Sequence, residues 1–542
     1  MAAASYATDL ALVNAADATT GWAELSGHTS GGAPSQEQDY FIQNTACVSQ
    51  SLGTKTGTAA GLQYDNGGNL TWTTNDCIFI WQVLLAGNAI DTFGNGGLMV
   101  GIGSTSGNVK YWKSNGSDFN RNPYGGWLNV AIDPTRAQDA TESARNDGTA
   151  VAANYRIIAS SPSLTAQVSK GNMHACDIIR YGRGIAQITN GDLANGYATF
   201  TGLAAQNDAI ANRWGLFSEQ GGVYLQKGVL SFGVTATACD FRDSNAVIRI
   251  DNTPRTFADF NRIEVNNAAS RVDLTGVSFL GPTTVPSGDT TITSKGNFEM
   301  IANATVNLDG CSFSDMGTFI FQSGATLTGT QWNNCGLITG GSATMDGVTV
   351  NGTTVTGTVG AMDVATAAEM ALISNSTFKN CGASYALKLS NTTATSYNFD
   401  NITFSGNTTD IYVAATTGTV TINILNGGTA APTVTSAGAT VSIVNAVTLE
   451  INGVSVGNGV DTGTTCAIYA AAGGPETVGT QLMNEFSDAT GTATQVYNFS
   501  SNQPVVIRAR QAGFKPFNTN GTITSNGLTV TAVWQADPNY GL

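Results

Sequence analysis

From Val272 to Leu425 one phrase of apolar and polar positions recurs: an apolar residue, a spacer, Gly or Asn, a small residue, Ser, Thr or similar, then a large apolar residue. The full copies are LTGVSF ending at Phe279, LDGCSF at Phe313, LTGTQW at Trp332, MDGVTV at Val350, ISNSTF at Phe378 and FDNITF at Phe404. VTINIL near Leu425 is a degenerate continuation, and ATACDF ending at Phe241 is an earlier, looser copy. Successive full copies end 34, 19, 18, 28 and 26 residues apart, a minimum near 18 with insertions. A turn of parallel β-helix takes about 18 residues or more and lets insertions leave through its corner loops. Strand alternation alone would put Leu308 and Phe313 on opposite faces, so a bend at Gly310 is predicted to turn both inward. Leu274, Leu308, Leu327, Met345, Ile373 and Phe399 then form one interior ladder, and Phe279, Phe313, Trp332, Val350, Phe378 and Phe404 a second. Cys335 and Cys381 share a slot three residues beyond this second ladder.

Both flanks break this pattern. The earlier part is richer in Trp and Tyr and holds strand-like runs such as CIFIWQVLL, GLMVGIG, GWLNVAI and GVYLQKGVLSFG, which predict a β-sandwich. Beyond about residue 445 come alternating strands, VTLEINGVSV, CAIYAAA, TQVYNFS, PVVIRARQAGFKPF and LTVTAVWQ, enough for an immunoglobulin-sized sandwich. The expected fold is all-β. A jelly-roll-like N-terminal β-sandwich spans 1–230, a parallel β-helix 231–440, and an Ig-like or transthyretin-like β-sandwich 441–542.

Composition supports this reading. Charged residues are 11% of the 542, against about 25% in a typical globular protein. Long stretches therefore lack the Glu, Lys, Arg and Leu that sustain exposed helical faces. Disorder would also suit a chain poor in charge, but 42% hydrophobic residues recurring periodically favour a folded one. The net charge of −15 argues against a nucleic-acid partner or an anionic membrane surface, both of which need clustered cations. A membrane-spanning run of about 20 apolar residues is not seen, and the N-terminus lacks a basic region followed by an apolar one. Eight dispersed cysteines without metal-type spacing read as buried, reduced small hydrophobes. No cofactor is expected.

Three resemblances follow from particular residues. GWLNVAIDP resembles a strand of the concanavalin-like jelly rolls of carbohydrate-binding and adhesive proteins. Val505 to Phe517, a strand of alternating apolar and basic residues leading into a Gly-aromatic-Lys-Pro-aromatic step, resembles the transthyretin-like or carboxypeptidase-regulatory-like sandwiches. The same C-terminal sequence, PVVIRARQAGFKPF followed by TGTITSNGLTVTAVWQ, looks like the ends of structural proteins of tailed bacteriophages. That last resemblance implies a virion protein assembled in the host cytoplasm, a tail fibre, spike or capsid-decorating appendage without enzymatic activity. Its implied partners are other capsid or tail proteins and a host-surface glycan. A homotrimer is expected because a lone coil of few charges exposes flat faces that closed symmetry would hide. Two alternatives stay open: a polysaccharide-degrading tailspike, and a cellular carbohydrate-binding adhesin.

Candidate chemistry is sparse. Asp309, Asp346 and Asp400 share one outward slot, with Thr328 and Ser374 in the intervening copies. The carboxylates would lie two rungs apart, on the order of 10 Å, just beyond an inverting pair's span of about 6.5 to 9.5 Å. An outward corner that accepts any small polar residue is the plainer explanation. His28 and His174 are the two histidines and lie far apart, so a Ser-His-Asp triad has no support from spacing. Arg180 and Arg183 in DIIRYGRG, with Lys170 upstream, could grip a glycan or a neighbouring subunit, or form internal salt bridges. Tyr111 and Trp112, which open the polar loop to Trp127, join them as possible glycan or subunit contacts. Trp72, Trp81, Trp112 and Trp127 could stack on sugars or fill a sandwich core.

Overall fold

The structure is a computed structural model that describes residues 6–25, 32–51, 61–73, 76–85, 98–113, 127–135, 155–162, 173–205, 214–251, 260–282, 295–455, 459–460, 462–499 and 501–540. The chain divides into two compact units, Met1–Ala325 and Thr326–Leu542. The fold is all-β, as the alternation of apolar and polar residues predicts.

The first unit opens with two antiparallel sheets. One runs in the order Leu128–Ile132, Cys77–Leu85, Met173–Gly182, Cys47–Ser51 and Ser35–Glu37, with Ala11–Asn14 also pairing Met173–Gly182. The other runs Trp22–Glu24, Leu62–Asp65, Ile157–Pro162, Leu98–Thr105 and Asn108–Lys113. Val48, Ile78, Ile80 and Cys176 from the first meet Leu62, Val100, Ile102 and Trp112 from the second, giving a sandwich with a dry apolar centre.

The coil of this unit is built of parallel strands in register. Ile185–Ile188, Val229–Phe232, Arg262–Val265 and Asn297–Met300 form one wall, Val223–Gln226, Val247–Ile250, Ser278–Leu280 and Ser312–Ser314 a second, and Asp240–Arg242, Arg271–Asp273 and Thr305–Asn307 a third. Coil strands therefore appear before residue 231, where the sequence reading began the helix. The early rungs lack the repeated phrase. Phe200, on a short helix, packs its ring on Phe217, Tyr224 and Phe241 and so covers apolar side chains of the first turns, as solenoid ends require.

In the second unit strands again stack in parallel register, and the interior ladder predicted from the repeats is present: Trp332, Val350, Phe378 and Phe404 are successive partners. Leu327, Met345 and Ile373 do the same, and in the first unit Phe279 pairs Phe313 with rings 4.8 Å apart and nearly parallel. The bend falls where it was expected. Gly276, Gly310, Gly329, Gly347, Asn375, Asn401 and Asn426 occupy the slot, each with φ between 50° and 71°. Gly and Asn are the residues that adopt this left-handed conformation at little cost. Where Asn replaces Gly the amides ladder between rungs: Asn401 Nδ2 donates to Asn375 Oδ1 at 2.9 Å, and Asn375 Nδ2 to Asp346 Oδ1 at 2.7 Å. A β-branched residue at this slot should be penalised by roughly 1–2 kcal/mol. Gly347→Val is thus expected to lower the urea midpoint of the coil while Gly347→Asn leaves it nearly unchanged; equal midpoints would refute the corner's backbone requirement.

The strand Thr440–Ser455 pairs in parallel with Thr419–Leu425 as the last coil rung. It then continues between Thr492–Asn498 and Leu528–Trp534 in the C-terminal sandwich. The facing sheet runs Gln481–Phe486, Thr465–Ala470, Gln503–Arg510 and Phe517–Ile523, and Leu449, Ile451, Ile468, Ile507 and Trp534 fill the space between. One uninterrupted strand thus joins coil to sandwich. All eight cysteines are free and buried. Among the described residues no helix is long and apolar enough to cross a membrane.

Candidate functional site

The strand Met173–Gly182 runs through the middle of the six-stranded sheet and carries an extra residue. Asp177 pairs Trp81, and the next pair is Ile179 with Ile80, so Ile178 is bulged out of the ladder with φ 40°. For a β-branched residue this conformation costs on the order of 1 to 3 kcal/mol and persists only where its surroundings hold it. The bulge has a definite effect. Asp177 and Arg180, three residues apart and destined for opposite faces in a regular strand, both project from the sheet's outer face.

Together they hold the segment that crosses that face. Asp177 Oδ2 accepts hydrogen bonds from the backbone N–H groups of Ile42 and Gln43, at 2.7 and 3.1 Å. Arg180 donates from Nη2 to Gln43 Oε1 at 2.8 Å and stacks its guanidinium over Trp214 at 4.5 Å. Asp177 is fully buried, and its second oxygen, Oδ1, has no hydrogen-bond partner. Burial pushes this carboxyl up to about 7 although the Ile42, Gln43 and Ile178 N–H groups pull the other way. Burial also lowers the Arg180 guanidinium to about 10.

Beside Asp177 lies an aromatic cluster. Tyr40 and Trp127 stack with ring centroids 5.6 Å apart and 25° between planes. With Met173 they pack on a floor of Cys47, Val83 and Ala175. Trp81, half-buried, is the cross-strand neighbour of both Asp177 and Asn129 on the same face. Phe41, at the top of the crossing segment, is exposed. Desolvation raises the Cys47 thiol far above its ordinary range, so it is a packing group here rather than a nucleophile.

The inner face of the same strand carries a different polar group. His174 Nε2 and Ser160 Oγ lie 2.8 Å apart, and Ser160 Oγ donates to Gln82 Oε1 at 2.6 Å. The pair looks like a nucleophile and its base, yet both residues have no solvent exposure and burial drives the His174 imidazole down to about 3. Asp177 faces the opposite side of the sheet, so no triad forms around them. His28, Lys170 and residues 114–126 of the loop to Trp127 lie outside the described residues.

The residues singled out for glycan or subunit contact are mostly committed within the chain. Tyr111 and Trp112 are 1% and 0% exposed: strand alternation places Trp112 between the sheets and Tyr111 on the opposite side, packed with Leu25, Met99 and Ile157. Arg180 is 3% exposed. Arg183 donates from Nη1 to the Phe260 carbonyl at 2.7 Å and lies over the Phe260 ring, binding the sandwich to the coil. Of the four tryptophans weighed for stacking, Trp72 packs on Tyr155 and Tyr181, while Trp81 and Trp127 reach the outer face. Tyr40 escaped the sequence reading, since nothing in its own segment marks it as Trp127's partner.

On the coil, Asp346 and Asp400 are two rungs apart with Ser374 between them. Asp346 Oδ1 accepts from Ser374 Oγ and Asn375 Nδ2, and these bonds hold its carboxyl below the usual range. Asp400 Oδ1 accepts from Asn426 Nδ2 at 2.6 Å. A glycosidase's general acid needs the opposite, a carboxyl kept protonated near neutrality. These two aspartates serve as acceptors in the corner ladder.

Fold and site together define a β-sandwich and parallel-coil protein with an aromatic face on its N-terminal sheet. No protein-family model and no curated protein matches the chain. Among solved structures it is similar to the catalytic domain of a GH87 alpha-1,3-glucanase in complex with tetrasaccharides, at 10% identity and a TM-score of 0.15, covering 78% of this chain and 96% of that one. A likeness of that size assigns no residue, substrate or reaction. It does correct the expectation that this chain is not an enzyme, because the structure found is itself a catalytic domain, and that exclusion is withdrawn.

Proposed function

We propose that this chain is a polysaccharide-engaging protein in which the outer face of the N-terminal six-stranded sheet receives the glycan. The observation that carries this reading is the Tyr40–Trp127 stack beside Trp81. Flat rings with a few polar groups at their edge are what a sugar ring's apolar face and hydroxyls need. The net charge of −15 favours neutral over acidic glycans, since like charges would oppose approach. The resemblance of the C-terminal sequence to tailed-phage structural proteins supports display on a virion appendage, with the coil as a stiff support and a homotrimer as the assembly.

Affinity electrophoresis and calorimetry of the full chain against a panel of neutral and acidic polysaccharides test the reading. A neutral glycan should bind, and Trp127→Ala should weaken it at least tenfold, the effect of losing about 1.4 kcal/mol. Binding to none of the panel, or unchanged affinity in Trp127→Ala, would overturn it. Release of reducing ends in the same mixtures would extend the function to cleavage.

A further inference from the structure

Where the coil meets the sandwich, a buried amine and a half-buried carboxamide are held together. Lys227 follows the coil strand Val223–Gln226, and its side chain reaches the six-stranded sheet, where Nζ donates to the Asn129 carbonyl at 2.5 Å and to Asn129 Oδ1 at 3.2 Å. The amine is thus within hydrogen-bonding reach of the oxygen carried by the carboxamide carbon, Cγ. Lys227 is only 8% exposed. Its own backbone is fixed by an N–H donated to the Leu216 carbonyl at 2.8 Å.

The carboxamide is seated as firmly. Gly215, with φ +72°, passes so close that a Cβ on it would fall 2.5 Å from Asn129 Cγ and 2.6 Å from Nδ2. Only a glycine lets the chain press on the amide in this way. Across the strand, Asn129 pairs with Trp81. The third participant comes from the next rung. Tyr224–Gln226 pair in parallel with Ile248–Ile250, and the N–H of Asp251 donates to the Gln226 carbonyl at 2.8 Å. The backbone of Asp251 therefore lies one rung from that of Lys227, a spacing of roughly 5 Å, and Asp251 is 6% exposed.

We propose that Lys227 and Asn129 condense into an intramolecular isopeptide bond that staples the start of the coil to the sandwich, with Asp251 carrying the proton. Asp251 takes a proton from the Lys227 ammonium, and the neutral Nζ adds to Cγ of Asn129. The adduct's proton passes to Nδ2, the Cγ–Nδ2 bond breaks, and ammonia departs with the proton held by Asp251, as ammonium. The Nζ–Cγ amide remains. The step needs no oxidant and no co-reactant, and its driving features are those of intramolecular catalysis: fixed approach, a buried amine and a base on the next rung. The bond would close a loop between residues 98 apart in sequence, linking two elements that non-covalent packing alone joins otherwise.

Intact mass spectrometry and peptide mapping of the purified full chain decide the matter. The wild type should be lighter than its sequence requires by one ammonia, and digestion should yield one branched peptide containing Asn129 and Lys227. Lys227→Arg and Asp251→Asn should both return to the full mass and give separate peptides. Wild-type protein at full mass with separate peptides would overturn the proposal, as would an ammonia loss mapped to a succinimide within a single peptide. A branched peptide persisting in Asp251→Asn would overturn the role given to Asp251.

Discussion

Asp177→Asn should stabilise the N-terminal sandwich at pH 8 and leave it nearly unchanged at pH 4. The native carboxyl titrates at about 7 because burial disfavours its charge, against an ordinary value of 3.8. Between those two values the native sandwich holds a proton that the unfolded chain has released. Stability therefore falls as pH rises through this window, by up to about 4 kcal/mol for a shift of this size. Asn keeps an acceptor for the Ile42 and Gln43 N–H groups and has no charge to bury. Urea unfolding of the full chain, followed by tryptophan emission from the sandwich between pH 4 and 8, measures the effect. The wild-type curve should slope downward and the variant's should be flatter; parallel curves would show that Asp177 is solvated or fully compensated. The same window bears on the glycan binding proposed above, because Asp177 anchors the segment carrying Tyr40.

Phe313→Ala is the second change with a large expected cost. Phe313 is fully buried, stacks on Phe279, and meets Phe298 and Phe319 edge-on at 6.3 and 4.9 Å. Removing the ring leaves a void in a coil whose walls are tied to neighbours by backbone ladders and cannot collapse inward. A loss of about 3–5 kcal/mol is expected, against less than about 0.5 kcal/mol for the adjacent outward Ser312→Ala. Hydrogen exchange of the rungs Ser278–Leu280 and Ser312–Ser314 should report it; equal protection in the two variants would mean that the ladder is not what holds these rungs.

Repetition is why the coil was legible. Each copy from Phe279 to Phe404 solves the same local problem, two inward residues separated by a left-handed bend, so a Gly or Asn between a Leu and a Phe announces its own conformation. The C-terminal strand Gln503–Arg510 was readable for a similar reason, its alternation matching one buried and one open face. The earlier rungs were not, because Ile185–Ile188 and Val223–Gln226 carry ordinary strand alternation that a sandwich would share. The expectation of no enzyme went beyond the residues that supported it, since missing motifs in a sequence cannot exclude a site that folding assembles.

The sequence by itself determined the all-β class, the inward ladders, the corner conformation and the buried, unpaired state of the cysteines, because each depends on periodicity and on the steric limits of single residues. Tertiary structure alone decided which polar and aromatic groups act together. The Ile178 bulge turns Asp177 and Arg180 to one face, Trp127 meets Tyr40 from a separate strand, and Lys227 meets Asn129 only where the coil closes on the sheet. Those meetings depend on register shifts and on packing between elements distant in sequence, and a pattern of local preferences carries no information about either.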